Sequence, residues 1–201
     1  IRILDDGTLV VTPYKEVSKS DNNTDLLWKD STYPTKEFLI GKHTYSKDPN
    51  FVNIPSQYTG LSRENSYIQK PVLAAFEKMY ADAKTDGITL RVTSASRNFY
   101  NQKYIWERKI KEYTEKYSDR TECAKRVLKY NSLPGTSRHH WGTDIDLISK
   151  QLSYWNSAQG KKAYAWLQAN AHKYGFFQPY SGGRSAGHGE EKWHWSYYPL
   201  S

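Results

Sequence analysis

The stretch Ser137–Asp146 reads SRHHWGTDID, and a second, shorter stretch, Glu191–His194, reads EKWH. Together they offer two imidazoles, His139 and His194, and one carboxylate, Asp146, as metal ligands. Two His and one carboxylate, with the fourth coordination position left to water, form a ligand set typical of hydrolytic zinc, and zinc lowers the pKa of that water toward ~7. The two stretches therefore predict a catalytic site with one Zn²⁺ ion per chain.

One further carboxylate, Glu191, lies three residues before His194. At this spacing it can reach the metal-bound water as a general base without binding the metal itself. A Glu-x-x-His pair alone recurs by chance, and the sequence contains no His-Glu-x-x-His motif of the helical zinc peptidases. The prediction therefore depends on both stretches occurring together in this order.

The residues around these stretches predict an α+β fold, a small antiparallel sheet flanked by helices. Apolar residues from Val72 to Ala83 recur at helical spacing, whereas residues 144–147 alternate, so that Ile145 and Leu147 face the core and both Asp side chains face the opposite side. The predicted elements are a helix from Pro71 to Gly87, a strand over Ile88–Val92, helices over 100–115 and 119–130, a strand over Asp144–Leu147, a helix over Gly160–Lys173 ending at Gly175, and a last strand over 193–197.

The composition limits the classes of function. Lys and Arg number 29 against 21 Asp and Glu, a net charge of +8, which favours anionic surroundings such as nucleic acid, an anionic membrane or an acidic cell-wall polymer. The basic residues are scattered and do not alternate with aromatics, so we expect no nucleic-acid partner. No apolar run approaches the roughly 20 residues of a membrane span. The single Cys123 makes no intramolecular disulfide and is expected to be half-buried in a helix.

Two regions are predicted along the chain. Residues 1–45, with a polar loop over residues 18–24, form a peripheral N-terminal extension, and residues 46–201 form one globular domain that contains the predicted zinc site. Because the chain starts at Ile1 without an export signal, we interpret it as a mature or trimmed form of an exported protein.

The two stretches resemble a family of bacterial cell-wall enzymes, the zinc D-alanyl-D-alanine carboxypeptidases and dipeptidases of the VanY and VanX type, which share their fold with the hedgehog signalling domain. The family pattern Ser-x-His-x-x-Gly-x-x-x-Asp, followed by Glu-x-x-His, is met in full, and the upstream Ser-Gly-Tyr-Arg-Ser signature in part by Ser94–Asn98. Departures from the pattern are Ala95, Ser96, Thr143 and Asp144. The carboxylate of Asp144 would either make the metal site more anionic or bind a loop.

The resemblance implies a role for each matching residue. His139, Asp146 and His194 bind zinc, Glu191 activates the water, and Arg97 stabilises the oxyanion and contacts the end of the substrate.

The resemblance also implies peptide contacts. Gln102 and Ser137 form hydrogen bonds with the substrate, and Trp193 lines its groove. The other four histidines are interpreted as structural: His43, His140, His172 and His188. Of these, His140 and His188 are candidates for contacts to the metal ligands.

The resemblance implies a zinc carboxypeptidase, in the periplasm or cell envelope of a bacterium, that removes the terminal D-alanine from peptidoglycan stem peptides. We expect the protein to be a monomer. An L,D-carboxypeptidase or a peptidoglycan endopeptidase would share the same site. A non-catalytic, zinc-stabilised wall-binding module is the alternative from another class, and a free base at Glu191 argues against it.

Overall fold

The computed structural model describes residues 34–201, together with two short paired strands near the N-terminus, and the chain divides into two units, residues 1–31 and 32–201. In the first unit, β1 (Arg2–Ile3) pairs antiparallel with β2 (Leu9–Val10). The loop predicted over residues 18–24 lies outside the described residues.

The two units divide between residues 31 and 32, whereas the peripheral extension was predicted to end at residue 45. The reason is an aromatic cluster in which Phe38, on helix α1 (Lys36–Leu39), and Tyr45 pack against Phe51 of the second unit. The ring of Tyr45 lies 4.9 Å from that of Phe51. Burial of these rings stabilises the segment within the second unit, and the sequence pattern of the segment alone does not show it.

The central sheet has four antiparallel strands in the order β5-β6-β8-β7. A smaller sheet pairs β3 with β4. Together with the helices, these sheets confirm the predicted α+β class. The strand bounds are β3 (Phe51–Asn53), β4 (Tyr67–Gln69), β5 (Val92–Ser94), β6 (Asp144–Leu147), β7 (Phe176–Phe177) and β8 (His194–Tyr197).

The strand predicted over Ile88–Val92 is wrong in its position, since β5 begins only at Val92. The N–H of Ile88 donates to the carbonyl of Ala83 at 2.8 Å, and Gly87 adopts a φ of +72°, so these residues close the end of a helix. The side chains still alternate between buried and exposed, because Ile88 and Leu90 enter the core without a strand partner.

The helices follow the predicted pattern with small shifts at their ends. Phe76 and Met79 are completely buried on the apolar face of the first long helix. The predicted helix over 160–173 ends earlier, at Asn170, and continues as a 3₁₀ turn to Tyr174. The bounds are α2 (Lys70–Thr85), α3 (Phe99–Thr114), α4 (Arg120–Leu128), α5 (Leu152–Asn156) and α6 (Ala158–Asn170).

Cys123 lies in α4 as expected, but it is fully buried rather than half-buried, because its side chain is on the face of α4 that packs inward together with Val127. Within residues 34–201, no helix is long and apolar enough to cross a membrane.

Candidate metal centre and active site

The structure brings the three predicted metal ligands together in one buried cluster. His139 lies on a 3₁₀ turn, Arg138–Trp141, that leads into β6, where Asp146 pairs directly with His194 of β8. Oδ1 of Asp146 lies 3.4 Å from Nε2 of His139 and 3.0 Å from Nδ1 of His194. One ligand atom from each side chain falls within 4.8 Å of the other two, as a single small cation requires.

The other ring nitrogen of each His is occupied by a hydrogen bond. Nδ1 of His139 lies 2.9 Å from the carbonyl of Ala95, so it donates, and the Nε2 lone pair is left toward Asp146. Nε2 of His194 lies 2.8 Å from Oδ1 of Asp144, which leaves Nδ1 toward Asp146. Hydrogen bonds of this kind fix the tautomer and orientation of metal-binding histidines. The donor set therefore fits a divalent cation such as zinc.

Asp144 is fully buried and has polar partners on both oxygens. Besides His194, it accepts from Nε of Arg138 at 2.9 Å and from the Thr143 hydroxyl at 2.6 Å. Burial raises the pKa of Asp144, but the hydrogen bond from His194 and the charge of Arg138 outweigh it and leave the pKa well below its usual range. The structure therefore shows Asp144 bonded both to the predicted ligand His194 and to the turn and loop residues that precede β6.

His194 lies between two carboxylates. Burial lowers its pKa, but the hydrogen bonds to Asp144 and Asp146 act in the opposite direction and raise it to about 10. The environment thus favours positive charge at this position. Because metal ligands bind in deprotonated form, a divalent metal would displace the proton from Nδ1.

Glu191 lies beside the cluster. Its Oε2 is 3.7 Å from Nδ1 of His194, and its backbone N–H donates to the carbonyl of Tyr180 at 2.9 Å. Burial raises the pKa of Glu191 to about 7. A carboxylate with a pKa near neutrality is suited to accept a proton in general base catalysis.

Arg97 lines the same cavity as Glu191 and the three ligands. Its Nη1 donates to Oε1 of Gln102 at 2.6 Å and its Nη2 to the hydroxyl of Ser94 at 3.1 Å. The backbone N–H of Arg97 also donates to the carbonyl of His139. Burial lowers the pKa of Arg97, and the charges of Asp146 and Glu191 oppose this effect. A guanidinium stays charged in proteins, so a fixed cation faces the cluster.

The three residues predicted to contact the peptide lie in different environments: two line the cavity and one is buried behind it. Ser137 and Trp193 line the cavity, and the side chain of Ser137 does not cap the turn that follows it. Gln102 is completely buried, and its amide bonds Arg97 on one side and the carbonyl of Ser132 on the other. Because both ends of its amide are used inside the protein, Gln102 lies behind Arg97, and its contact with the peptide stays a prediction.

Two residues of the site were missed by the sequence analysis. The ring of Tyr180 lies 4.8 Å from that of His194 and lines the cavity, and burial raises its pKa to about 12, so that the phenol stays protonated. Nothing in the local sequence marks Tyr180. Arg138 could have been found, because it adjoins His139 within the motif and a buried carboxylate nearby requires a cation.

One cavity of about 510 Å³, of the size that takes small ligands and peptides, is lined by the three predicted ligands together with Arg97, Arg138, Ser137, Tyr180, Glu191 and Trp193.

Comparison with known proteins identifies relatives of this architecture. The sequence profile described as VanY, D-alanyl-D-alanine carboxypeptidase, matches residues 65–200. The chain is 26% identical over 123 residues to a D-alanyl-D-alanine carboxypeptidase of Enterococcus faecalis (strain ATCC 700802 / V583), covering 60% of this chain and 44% of that protein. The chain spans about half the length of the curated relatives it matches.

Two solved structures of similar fold show what such proteins bind. A mutant of the vancomycin resistance D,D-pentapeptidase VanY from a VanB-type cassette, in complex with Zn(II), has a TM-score of 0.58 and 26% identity, covering 73% of this chain and 83% of that one. VanYB in complex with D-alanine-D-alanine has a TM-score of 0.59 and 26% identity, covering 73% and 81%. The profile match covers more than half of the sequence. The chain therefore belongs to the VanY family of D-alanyl-D-alanine carboxypeptidases.

Proposed function

We propose that this protein is a zinc-dependent carboxypeptidase that hydrolyses the terminal D-alanyl-D-alanine bond of peptidoglycan stem peptides. The observation that carries the proposal is the convergence of three ligand atoms within 4.8 Å, beside a buried carboxylate that is not one of them. Family membership and the two VanY complexes support the choice of metal and substrate. Its site of action would be the cell envelope, where such peptides occur.

His139, Asp146 and His194 would bind the zinc ion through Nε2, a carboxylate oxygen and Nδ1. When bound, zinc supplies a Lewis acid that lowers the pKa of water and polarises the peptide carbonyl. We further propose that Asp144 positions His194, because its carboxylate accepts the Nε2–H and so directs Nδ1 toward the metal.

Glu191 accepts the proton of the attacking water and then donates it to the amine of the departing residue, so the carboxylate returns to its starting state. Arg97 donates to the carbonyl oxygen as negative charge develops on it. Gln102 fixes the orientation of the Arg97 guanidinium, which therefore needs little reorganisation during the reaction.

Incubation of the metal-loaded protein with defined muropeptides, followed by mass spectrometry, tests this proposal. Loss of one D-alanine from a pentapeptide is the expected result. Cleavage of tetrapeptides alone would identify an L,D-carboxypeptidase, and cleavage of crosslinked dimers an endopeptidase. Release of nothing from any of them, with peptide binding retained, would identify the non-catalytic binding module and refute the enzyme proposal.

A further inference from the structure

The cavity has a second charged region besides the catalytic residues. Arg108 and Lys109 of α3, Arg126 of α4 and Lys150, which follows β6, all line it. We call these four residues the cationic wall. None of them belongs to the family motif or contacts a proposed metal ligand.

The charges of the cationic wall are incompletely neutralised. Arg108 and Lys109 share a single partner, Glu112, at 2.9 and 2.8 Å. Arg126 pairs with Glu122 at 2.9 Å. Glu112 and Glu122 are not among the cavity-lining residues, and such exposed pairs along a helix are weak.

Lys150 has no ion-pair partner within residues 34–201. The cationic wall therefore presents an excess of positive charge to the cavity. Lys150 is the member of the wall for which the described residues offer no ion-pair partner.

A strained turn directs Lys150 to the cavity. Ile148, two residues after Asp146, has a φ of +64°, a region that β-branched residues rarely occupy. The N–H of Ser149 donates to the carbonyl of Leu147 at 2.7 Å, so the chain reverses tightly around Ile148. Backbone strain of this kind persists where the surrounding structure imposes it, often at ligand sites. The turn keeps Lys150 and the ligand Asp146 on one cavity.

The cavity also carries surface suited to a peptide backbone. Tyr113 and Tyr130 line it together with Leu152, whose side chain is 50% exposed. Flat aromatic rings with a polar hydroxyl bind extended polar chains well. Cations and tyrosines together fit an acidic peptide better than a neutral sugar.

We propose that the cationic wall is a subsite for a carboxylate on the substrate, on the N-terminal side of the bond that is cut. This inference rests on the proposed function, because the C-terminal end of the peptide must then lie against Glu191 and Arg97. The remainder of the peptide extends along the cavity, where the cationic wall faces it. The enzyme would thus prefer peptides with acidic residues before D-Ala-D-Ala over otherwise equal neutral ones.

Two acetylated tetrapeptides that end in D-Ala-D-Ala, preceded by two glutamates or by two glutamines, test the subsite. Their Kd values are measured by calorimetry on the zinc-loaded Glu191→Ala protein, where cleavage does not interfere. We expect the glutamate peptide to bind roughly 3- to 5-fold more tightly, as for partly exposed charge pairs, and the difference to shrink with added salt.

Three variants locate the effect. Lys150→Met, which keeps the apolar stem, should remove most of the difference between the peptides and leave the Kd of the glutamine peptide unchanged. Lys161→Met, on the exposed surface of α6 and outside the cavity lining, is the matched control and should change neither value. Adding Arg126→Met to Lys150→Met should reduce the remaining difference further, to the part that Arg108 and Lys109 still provide.

Equal Kd values for the two peptides, no detectable binding of either, or an equal loss of both in Lys150→Met, would overturn the subsite. Turnover by the unchanged protein is scored separately. Cleavage of both peptides without discrimination would refute the subsite and leave the carboxypeptidase proposal intact. Discrimination in binding without any cleavage would refute the carboxypeptidase proposal and leave the subsite.

Discussion

The turn Arg138–Trp141 carries two adjacent histidines that differ in their hydrogen bonds. We call the side of the turn at His139 the front side and the side at His140 the rear side. On the front side, His139 uses one ring nitrogen for the carbonyl of Ala95 and leaves the other toward Asp146. On the rear side, His140 uses both: Nδ1 donates to the carbonyl of Arg97 at 2.6 Å, and Nε2 accepts from the N–H of Gly135 at 3.0 Å.

This difference in hydrogen bonding distinguishes a proposed metal ligand from a structural histidine. A histidine whose two ring nitrogens both bond the backbone has no lone pair for a metal, so His140 is structural although it adjoins a proposed ligand. The packing on the rear side is tight, since a Cβ on Gly41 would lie 2.4 Å from Nδ1 of His140. Through the carbonyl of Arg97, His140 also fixes the segment that carries the proposed oxyanion donor.

The largest effect is expected on the front side. His139→Ala removes a ligand, so the protein should lose its zinc and, with it, several kcal/mol of transition-state stabilisation, a fall in turnover of ~10³-fold or more. Elemental analysis of the purified protein, alongside a D-alanine release assay, measures both. A variant that keeps a full equivalent of zinc would contradict the assignment of His139.

The second-largest effect is expected for Arg97, which lines the cavity with its side chain and accepts a hydrogen bond from His140 with its carbonyl. Arg97→Ala should lower kcat by ~10²- to 10³-fold, because a donor to the developing oxyanion is lost. Arg97→Lys should recover only part of this loss, since an ammonium cannot bond both Gln102 and Ser94 as the guanidinium fork does. Arg63→Ala, at an exposed position, is the control. A purely structural role for Arg97 predicts instead that kcat is unchanged and only stability falls.

A smaller effect, on zinc binding, is expected at Asp144, the hydrogen-bond partner of His194. Asp144→Ala should weaken zinc binding by ~10- to 100-fold, as is usual when the partner of a ligating histidine is removed. Asp144→Asn keeps an acceptor for the Nε2–H and should lose less. Ser196→Ala, which removes a partner of Arg138 at 2.7 Å but not of His194, is the control. Competition against a chelator of known affinity gives the Kd, and equal values for Asp144→Ala and the parent would rule out the positioning role.

The smallest effect on metal binding is expected on the rear side. His140→Ala should lower the free energy of unfolding by about 2 kcal/mol, because two buried hydrogen bonds are lost, while the zinc content stays the same. Urea denaturation of the His139→Ala and His140→Ala variants provides the comparison. Loss of zinc from His140→Ala without loss of stability would show that the two sides are not distinct.

The sequence predicted those features that depend on local spacing. The apolar period of α2 and the alternation along β6 and β8 repeat in the chain itself, so these three elements and the facing of Asp146 and His194 follow from it. The ligands come together because these two residues pair directly on neighbouring strands. The order of the two motifs along the sequence indicated this pairing.

Features that depend on long-range packing could not be predicted. The aromatic cluster of Phe38, Tyr45 and Phe51 packs residues 32–45 within the second unit, and the sequence pattern alone does not show this packing. Gln102 resembles a substrate contact until the packing of α3 shows that it is buried. The cationic wall arises where α3, α4 and the turn at Ile148 meet around the cavity, and no pattern in the sequence connects these segments.

The zinc content and the turnover of a single variant, Glu191→Ala, test the central claim most directly. If Glu191 is the base and not a ligand, the protein should retain one equivalent of zinc while kcat falls by ~10²- to 10⁴-fold, the usual contribution of general base catalysis. Loss of the zinc, or turnover equal to that of the unchanged protein, would contradict the account.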